Sequence, residues 1–262
     1  MISRAYIAEW RNNSPWKLNA QVEQDLIIER AIVAIFNDNF LCDNLAFRGG
    51  TALHKIFLKP PARYSEDIDL VQINPGPIKD TIQRVQNKLM FIGETSTKQK
   101  KNNNNIFFHY DTEIPPVTSM KLKVEINCRE HFTEFGHKKI KYQVDTSWFS
   151  GSGNVVTYEL EEILGTKLRA LYQRSKGRDL FDLFWALTNT DVDTEKVLQA
   201  YYTYMNFSVS KIPGRKQFMA NMDKKINDPE FIGDILGLLR PGIIYDNMEA
   251  FEIIKKELLE NL

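Results

Sequence analysis

Asp67 and Asp69 stand one residue apart at the head of a run, Ile68-Asp69-Leu70-Val71-Gln72-Ile73, in which apolar and polar side chains largely alternate. A period of two is the mark of a strand with one buried face, so both carboxylates project from the other face, about 6 to 7 Å apart along the strand. Upstream, Leu45-Ala46-Phe47 runs into Gly49-Gly50, and Thr51 to Leu58 reads as a helix stopped before Pro60-Pro61. Strand, glycine turn, helix and acidic strand in that order commit the N-terminal part of the chain to a mixed α/β sheet with flanking helices.

A carboxylate pair beside a glycine turn has a chemical meaning. Magnesium, or manganese in its place, prefers hard oxygen ligands and fills its shell with water and substrate phosphates, so such a pair suits a nucleoside triphosphate and its metal. Gly49 and Gly50 permit positive φ and close backbone approach, and the helix that follows aims free N–H groups and its positive dipole end at a polyphosphate. Thr51 adds a hydroxyl donor and Lys55 a cation for the phosphates, while Ser65 either hydrogen-bonds the triphosphate or caps the strand turn. A third carboxylate on an adjacent strand would complete the metal site. Met120 to Asn127 supplies one, with Leu122, Val124 and Ile126 facing one way and Lys121, Lys123, Glu125 and Asn127 the other. Glu125 is the expected third ligand beside Asp67 and Asp69. Singly, an Asp-x-Asp is a strand end with solvated acids and a Gly-Gly-Thr a plain turn; together and in this order they point to one site.

Composition sets the outer bounds. Lys plus Arg and Asp plus Glu both number 34 among 262 residues, so net charge neither favours nor excludes a nucleic-acid partner. At 43% hydrophobic and 11% aromatic, the chain has the make-up of a globular protein. Cys42 and Cys128 lie far apart with no ligand spacing around them, which argues against zinc and fits a reducing compartment. Neither an apolar leader nor a run of ~20 apolar residues occurs, so a cytoplasmic location away from membranes is expected.

Elsewhere, Val22 to Asn37 places Ile28, Ala31, Ile32, Ile35 and Phe36 on one helical stripe, and Ile78 to Met90 reads as a second amphipathic helix. Lys98 to Asn105 reads as a polar, basic loop ahead of two strand-like runs, Ile106–Tyr110 and Met120–Asn127. Helical periodicity takes over after Tyr158, at Glu159 to Arg174, Arg178 to Thr188, Glu195 to Tyr204 and Glu249 to Leu259. The glycine-rich Gly151-Ser152-Gly153-Asn154 reads as a flexible stretch, and the boundary between a domain at 1–157 and a helical lobe at 158–262 is expected just after it.

With these residues in hand, the chain resembles the nucleotidyltransferase superfamily that includes DNA polymerase beta. More narrowly, Phe47-Arg48-Gly49-Gly50-Thr51-Ala52-Leu53-His54-Lys55 with Arg63-Tyr64-Ser65-Glu66-Asp67-Ile68-Asp69-Leu70 is similar to the AbiEii/AbiGii abortive-infection toxin family. Two further motifs of that family follow in order, Glu161 to Leu171 around Lys167 and Arg174 to Leu183 around Asp179 and Asp182, so that the likeness covers roughly 22–187. The resemblance implies a bilobed α/β (α+β) protein: a nucleotidyltransferase-fold sheet carrying Asp67 and Asp69 for the metal, and a helical lobe carrying Lys167 for the triphosphate and Asp179 and Asp182 as a polar centre. It also implies a toxin of a toxin–antitoxin or phage-defence system, with a cognate antitoxin and with the 3′ end of tRNA as acceptor.

On that reading a hydroxyl attacks the α-phosphorus of the triphosphate, and Glu125, Asp179 or Asp182 takes the proton. Asp179 and Asp182, at i and i+3 on one helix face, repel each other and need a cation nearby; equally, Asp179 could serve the helix dipole while Arg178 pairs with Asp182. An RNA acceptor calls for basic ground, for which Lys98, Lys100 and Lys101, then Lys138, Lys139 and Lys141, then Arg174, Lys176 and Arg178 are the candidates. The competing expectations are a transferase acting on a small-molecule or protein hydroxyl, which calls for a closed pocket, and a protein that binds triphosphate without turnover.

Overall fold

A computed structural model describes residues 2–100 and 102–262. The chain divides into two compact units, Met1–Ile56 with Tyr64–Tyr158, and Phe57–Arg63 with Glu159–Leu262. Lys101 lies outside the described residues.

The first unit is a seven-stranded sheet in the order β3-β4-β5-β2-β1-β7-β6. Its strands are β1 (Leu45–Arg48), β2 (Asp67–Gln72), β3 (Glu94–Gln99), β4 (Asn103–Asp111), β5 (Ser119–Asn127), β6 (Lys138–Asp145) and β7 (Ser150–Thr157). The pairs β2–β5 and β1–β7 are parallel and the others antiparallel. The side chains that alternate inward on β2 and β5, Ile68, Leu70, Leu122, Val124 and Ile126, are almost wholly buried. Their polar neighbours Asp67, Asp69, Lys123 and Glu125 consequently share the opposite face, as a period of two demands. Helices α1 (Arg4–Trp10), α2 (Asn19–Phe36), α3 (Asn39–Asn44), α4 (Gly49–Ala52, continuing as a π-helical turn over Leu53–Phe57) and α5 (Lys79–Lys88) complete the unit.

Helix α2 is more deeply enclosed than a one-sided stripe requires, burying Glu23, Gln24, Asp25 and Glu29 along with its aliphatic residues. Burial of such charges is tolerable only with full pairing. Lys55 supplies it, with Nζ 2.6 Å from Asp25 and 2.7 Å from Glu29; Trp10 and Ser14 also donate to Asp25, and Tyr142 to Glu29.

Two expectations about this unit change. The supposed loop from Lys98 to Asn105 is the tip of a β3–β4 hairpin, in which Lys98 pairs with Asn105 and Gln99 with Asn104. Every residue of β3 is exposed, so the strand lacks the apolar alternation that would have announced it. The glycine-rich stretch Gly151 to Asn154 is likewise not flexible linker but part of β7, paired throughout with β6. A Cβ on Gly153 would stand 2.8 Å from the Phe36 backbone, so glycine is there to let the end of α2 come close.

The second unit is helical, built from α6 (Leu160–Gln173), α7 (Gly177–Asn189), α8 (Thr194–Ser208), α9 (Arg215–Lys225), α10 (Pro229–Leu236) and α11 (Asn247–Glu257), closed by a 3-10 turn over Leu259–Asn261. The segment Phe57–Arg63, although it falls within 1–157, belongs here: Ala62 packs with Phe181, Ile235 and Leu239, and Arg63 bridges to Leu239 and binds Asp182. No helix among the described residues is long and apolar enough to cross a membrane.

Candidate active site

Gly49 has φ +80°, a conformation that side chains strain to adopt, and a Cβ built on it would lie 2.2 Å from Asp69 Oδ2. The glycine turn therefore does two things at once: it reverses the backbone at the end of β1, and it packs peptide directly against the second aspartate. Arg48, just before it, is the cross-strand partner of Asp69, and its guanidinium binds Glu130. The helix starts at Gly49 itself, two residues before the Thr51 start expected from the sequence. Thr51 is fully buried; its hydroxyl bonds the Asp67 carbonyl and lies 2.7 Å from Ser65 Oγ. Those two hydroxyls fasten the turn to the head of β2, which is the capping alternative for Ser65.

Across the sheet, β2 and β5 run parallel in a register that sets Asp67 beside Lys123 and Asp69 beside Glu125. The three acids thus share one face on two adjacent strands, and all are partly buried. Burial and the neighbouring Asp67 and Glu125 charges raise the pKa of Asp69; burial also raises that of Asp67, with Lys123 opposing. Among the described residues nothing donates a hydrogen bond to the Asp69 carboxylate, whereas Glu125 accepts from Asn103 Nδ2 at 2.6 Å.

Lys123, on this face by its place in β5, is a further functional candidate beside the three acids. Its Nζ is 2.8 Å from Asp67 Oδ2 and 3.4 Å from Glu125 Oε2, and although burial alone would depress its pKa, the three surrounding carboxylates raise it. With that ammonium between them, no three acid, histidine or cysteine side chains among the described residues stand as a ready metal cage. The donor chemistry nevertheless fits a hard divalent cation: three oxygen-bearing acids hold one monovalent counter-charge, and Asp69 lacks a donor of its own. The signal was available, since a lysine two residues before Glu125 must share its face.

The other candidates fall as follows. Lys55 is 4% exposed and held by Asp25 and Glu29, so its ammonium is engaged in the interior of the first unit rather than offered to phosphate. In the second unit, Asp179 and Asp182 are fully buried and Lys167 nearly so. The cations that their repulsion required are present: Lys167 Nζ lies 3.1 Å from Asp179 and 2.8 Å from Asp182, Arg174 forks onto Asp179, and Arg63 onto Asp182. Although burial pushes the Asp179 carboxyl up, Lys167 and Arg174 outweigh it and hold the pKa below the ordinary value. Arg178 pairs with Asp234 instead of Asp182.

Within the first unit the candidate basic groups lie apart, Lys98 on β3 and Lys138, Lys139 and Lys141 on β6, the two opposite edges of the sheet. In the second unit Arg174 and Lys176 are paired with Asp179 and Asp234.

Comparison with known proteins gives a consistent result. The family model for AbiEii, described as a nucleotidyl transferase AbiEii toxin of a type IV toxin–antitoxin system, matches residues 30–254, starting within the 22–187 span expected from the motifs and running past its C-terminal end. MenT4, a nucleotidyltransferase toxin from Mycobacterium tuberculosis H37Rv, superposes with a TM-score of 0.65 at 15% identity, covering 100% of this chain and 91% of that one. JHP933 from Helicobacter pylori superposes with a TM-score of 0.53 at 19% identity, covering 92% and 94%. At such identities these two likenesses speak for the fold. No curated protein sequence matches the chain significantly.

Proposed function

The chain belongs to the AbiEii family of nucleotidyl transferase toxins of type IV toxin–antitoxin systems, and on that premise we propose that it transfers a nucleotide from a nucleoside triphosphate to the 3′ hydroxyl of an RNA, with tRNA the foremost acceptor. The observation that carries this reading is the register that sets Asp69 beside Glu125 and Asp67 beside Lys123, with the Gly49 backbone packed against Asp69.

Asp67, Asp69 and Glu125 would hold a magnesium or manganese ion, which when bound supplies Lewis acidity and charge neutralisation to the phosphates. The chain's own contribution is positioning. The Gly49-Gly50 peptides cradle the triphosphate at the N-terminal end of α4, and Thr51 and Ser65, bonded to each other, keep that cradle fixed to β2. Lys123 neutralises the acids before substrate arrives and is placed to follow the negative charge when it does. By kinship Lys167 is assigned to the triphosphate, in a setting already organised by Asp179 and Asp182.

For the proton acceptor we favour Glu125. Asp179 and Asp182 each hold two cations, and the depressed pKa of Asp179 makes it a weak base. A cognate antitoxin is part of the proposal, as the system type implies.

The test is incubation of the purified chain with total RNA, magnesium and each of the four labelled triphosphates, beside an Asp67→Ala, Asp69→Ala control. Label entering RNA in a size class of tRNA, and only with the wild type, supports the reading. Label entering a small molecule or protein would replace the acceptor, and equal labelling by the control would remove the catalytic assignment.

A further inference from the structure

The face that carries the acids does not stop at them. Across β2, β5, β4 and β3 the register lines up Asp67, Lys123, Phe107 and Ser96 in one row, and Asp69, Glu125, Asn105 and Lys98 in the next; on the other side of the first row Lys121 stands beside His109. A groove of about 600 Å³ opens along it, lined by Asp67, Lys123, Phe107, Lys121, His109 and Gln24 among others. Phe107 is the anomaly. It is the one large apolar side chain that β4 turns to this face, and it is only partly buried, whereas Ile106 and Phe108 beside it are wholly buried in the core. Lys121 Nζ lies 5.7 Å from the centre of its ring, and His109 Nε2 is 3.0 Å from Ser96 Oγ at the rim.

We propose that this face of β4 and β5 is the seat of the acceptor: the terminal nucleotides of a single-stranded RNA, with one base stacked on Phe107, the backbone held by Lys121 and Lys98, and the 3′ hydroxyl reaching the acids. Three observations support it. An accessible ring among lysines on an open sheet is the composition that binds unpaired bases, because every base has a stacking face and every linkage a negative charge. The separation fits, since Phe107 and Asp67 are two strands apart, about 10 Å at ~4.8 Å per strand, which places a stacked base close to a hydroxyl at the metal site. Finally, the two substrates would approach from opposite flanks of β2: the glycine turn meets Asp69 from the β1 side, while β5, with Glu125, and β4 lie on the other. Inside a double helix the base faces are occupied by stacking on one another, so an unpaired end offers them to Phe107 most readily. The inference rests on the nucleotidyl-transfer reading and adds the location and form of its acceptor.

The experiment is fluorescence anisotropy with a 5′-labelled single-stranded RNA, titrated with wild type, Phe107→Ala, Phe107→Trp and Lys121→Gln, alongside binding of a fluorescent triphosphate analogue with magnesium to the same proteins. Phe107→Ala is expected to weaken RNA binding roughly tenfold or more, the range for one lost base stack, and Phe107→Trp to restore it, with triphosphate affinity unchanged in both. Lys121→Gln should reduce the slope of log affinity against log salt by about 0.7, one single-strand phosphate contact. RNA affinity unchanged in Phe107→Ala, with triphosphate binding intact, would overturn the platform, leave the metal site standing, and turn attention to a protein partner for this face. Wild type that takes triphosphate but no RNA would overturn the RNA acceptor as well, whereas failure to bind triphosphate would sink the nucleotidyl-transfer reading itself.

Discussion

At the residue scale, the geometry around Asp69 is the least forgiving in the molecule. Gly49→Ala puts a methyl group where the carboxylate lies and leaves φ at +80°, so the turn or the aspartate must move. A strain of about 1 to 3 kcal/mol is expected; thermal unfolding should show a modest loss of stability, and a transfer assay a far larger loss of activity. Lys123 invites the opposite experiment. Since its ammonium occupies the carboxylates, Lys123→Met should raise the affinity of the site for manganese roughly tenfold, the scale of a lost charge-assisted hydrogen bond, and calorimetric titration measures this directly. Weaker metal binding by this variant would mean that Lys123 organises the acids instead of competing for them. Asp67, Asp69 and Glu125 were legible because a period of two sorts side chains onto faces without any tertiary information. The sequence likewise puts Lys123 on the face of Glu125, and the β2–β5 register then brings it to Asp67.

At the scale of elements, helices α6 and α7 are joined by a buried ion network that makes a pH prediction. Lys167 and Arg174 outweigh burial and hold the Asp179 pKa below its unfolded value. The stability it contributes is thus fully present above the unfolded carboxylate pKa, near 3.9, and is lost as pH falls through the lower folded value. Melting temperature against pH should fall steeply on the acid side for wild type. Asp179→Asn, which takes up no such proton, should be less stable at neutral pH by about 3 to 5 kcal/mol and show a shallower acid limb. Parallel curves would contradict the assignment. The motif around these residues was legible as a pattern, yet its partners were not, since Arg63 reaches Asp182 from a segment more than a hundred residues earlier in the chain. Strands β3 and β7 were illegible for a physical reason. An edge strand exposed on both faces needs no apolar alternation, and a strand pressed against a helix end uses glycine, the residue that otherwise signals a turn.

For the molecule as a whole, the helical periodicity expected after Tyr158 is met by α6 to α11, whereas nothing in the sequence marks Phe57–Arg63 as packing with those helices, since that follows from Ala62 meeting Phe181 and Ile235. Net charge was uninformative, with 34 residues of each sign, because a sum says nothing of where individual cations stand. The measurement that bears most directly on the account is transfer from a triphosphate labelled either at the α or at the γ position, carried out with wild type and Asp69→Asn in the presence of magnesium and RNA. The account predicts that α label, and not γ label, becomes attached to the RNA 3′ end, and that Asp69→Asn loses at least about a hundredfold in rate, the scale set by removing one electrostatic partner of a transition state. Transfer of γ label, or an Asp69→Asn variant as fast as wild type, would contradict it.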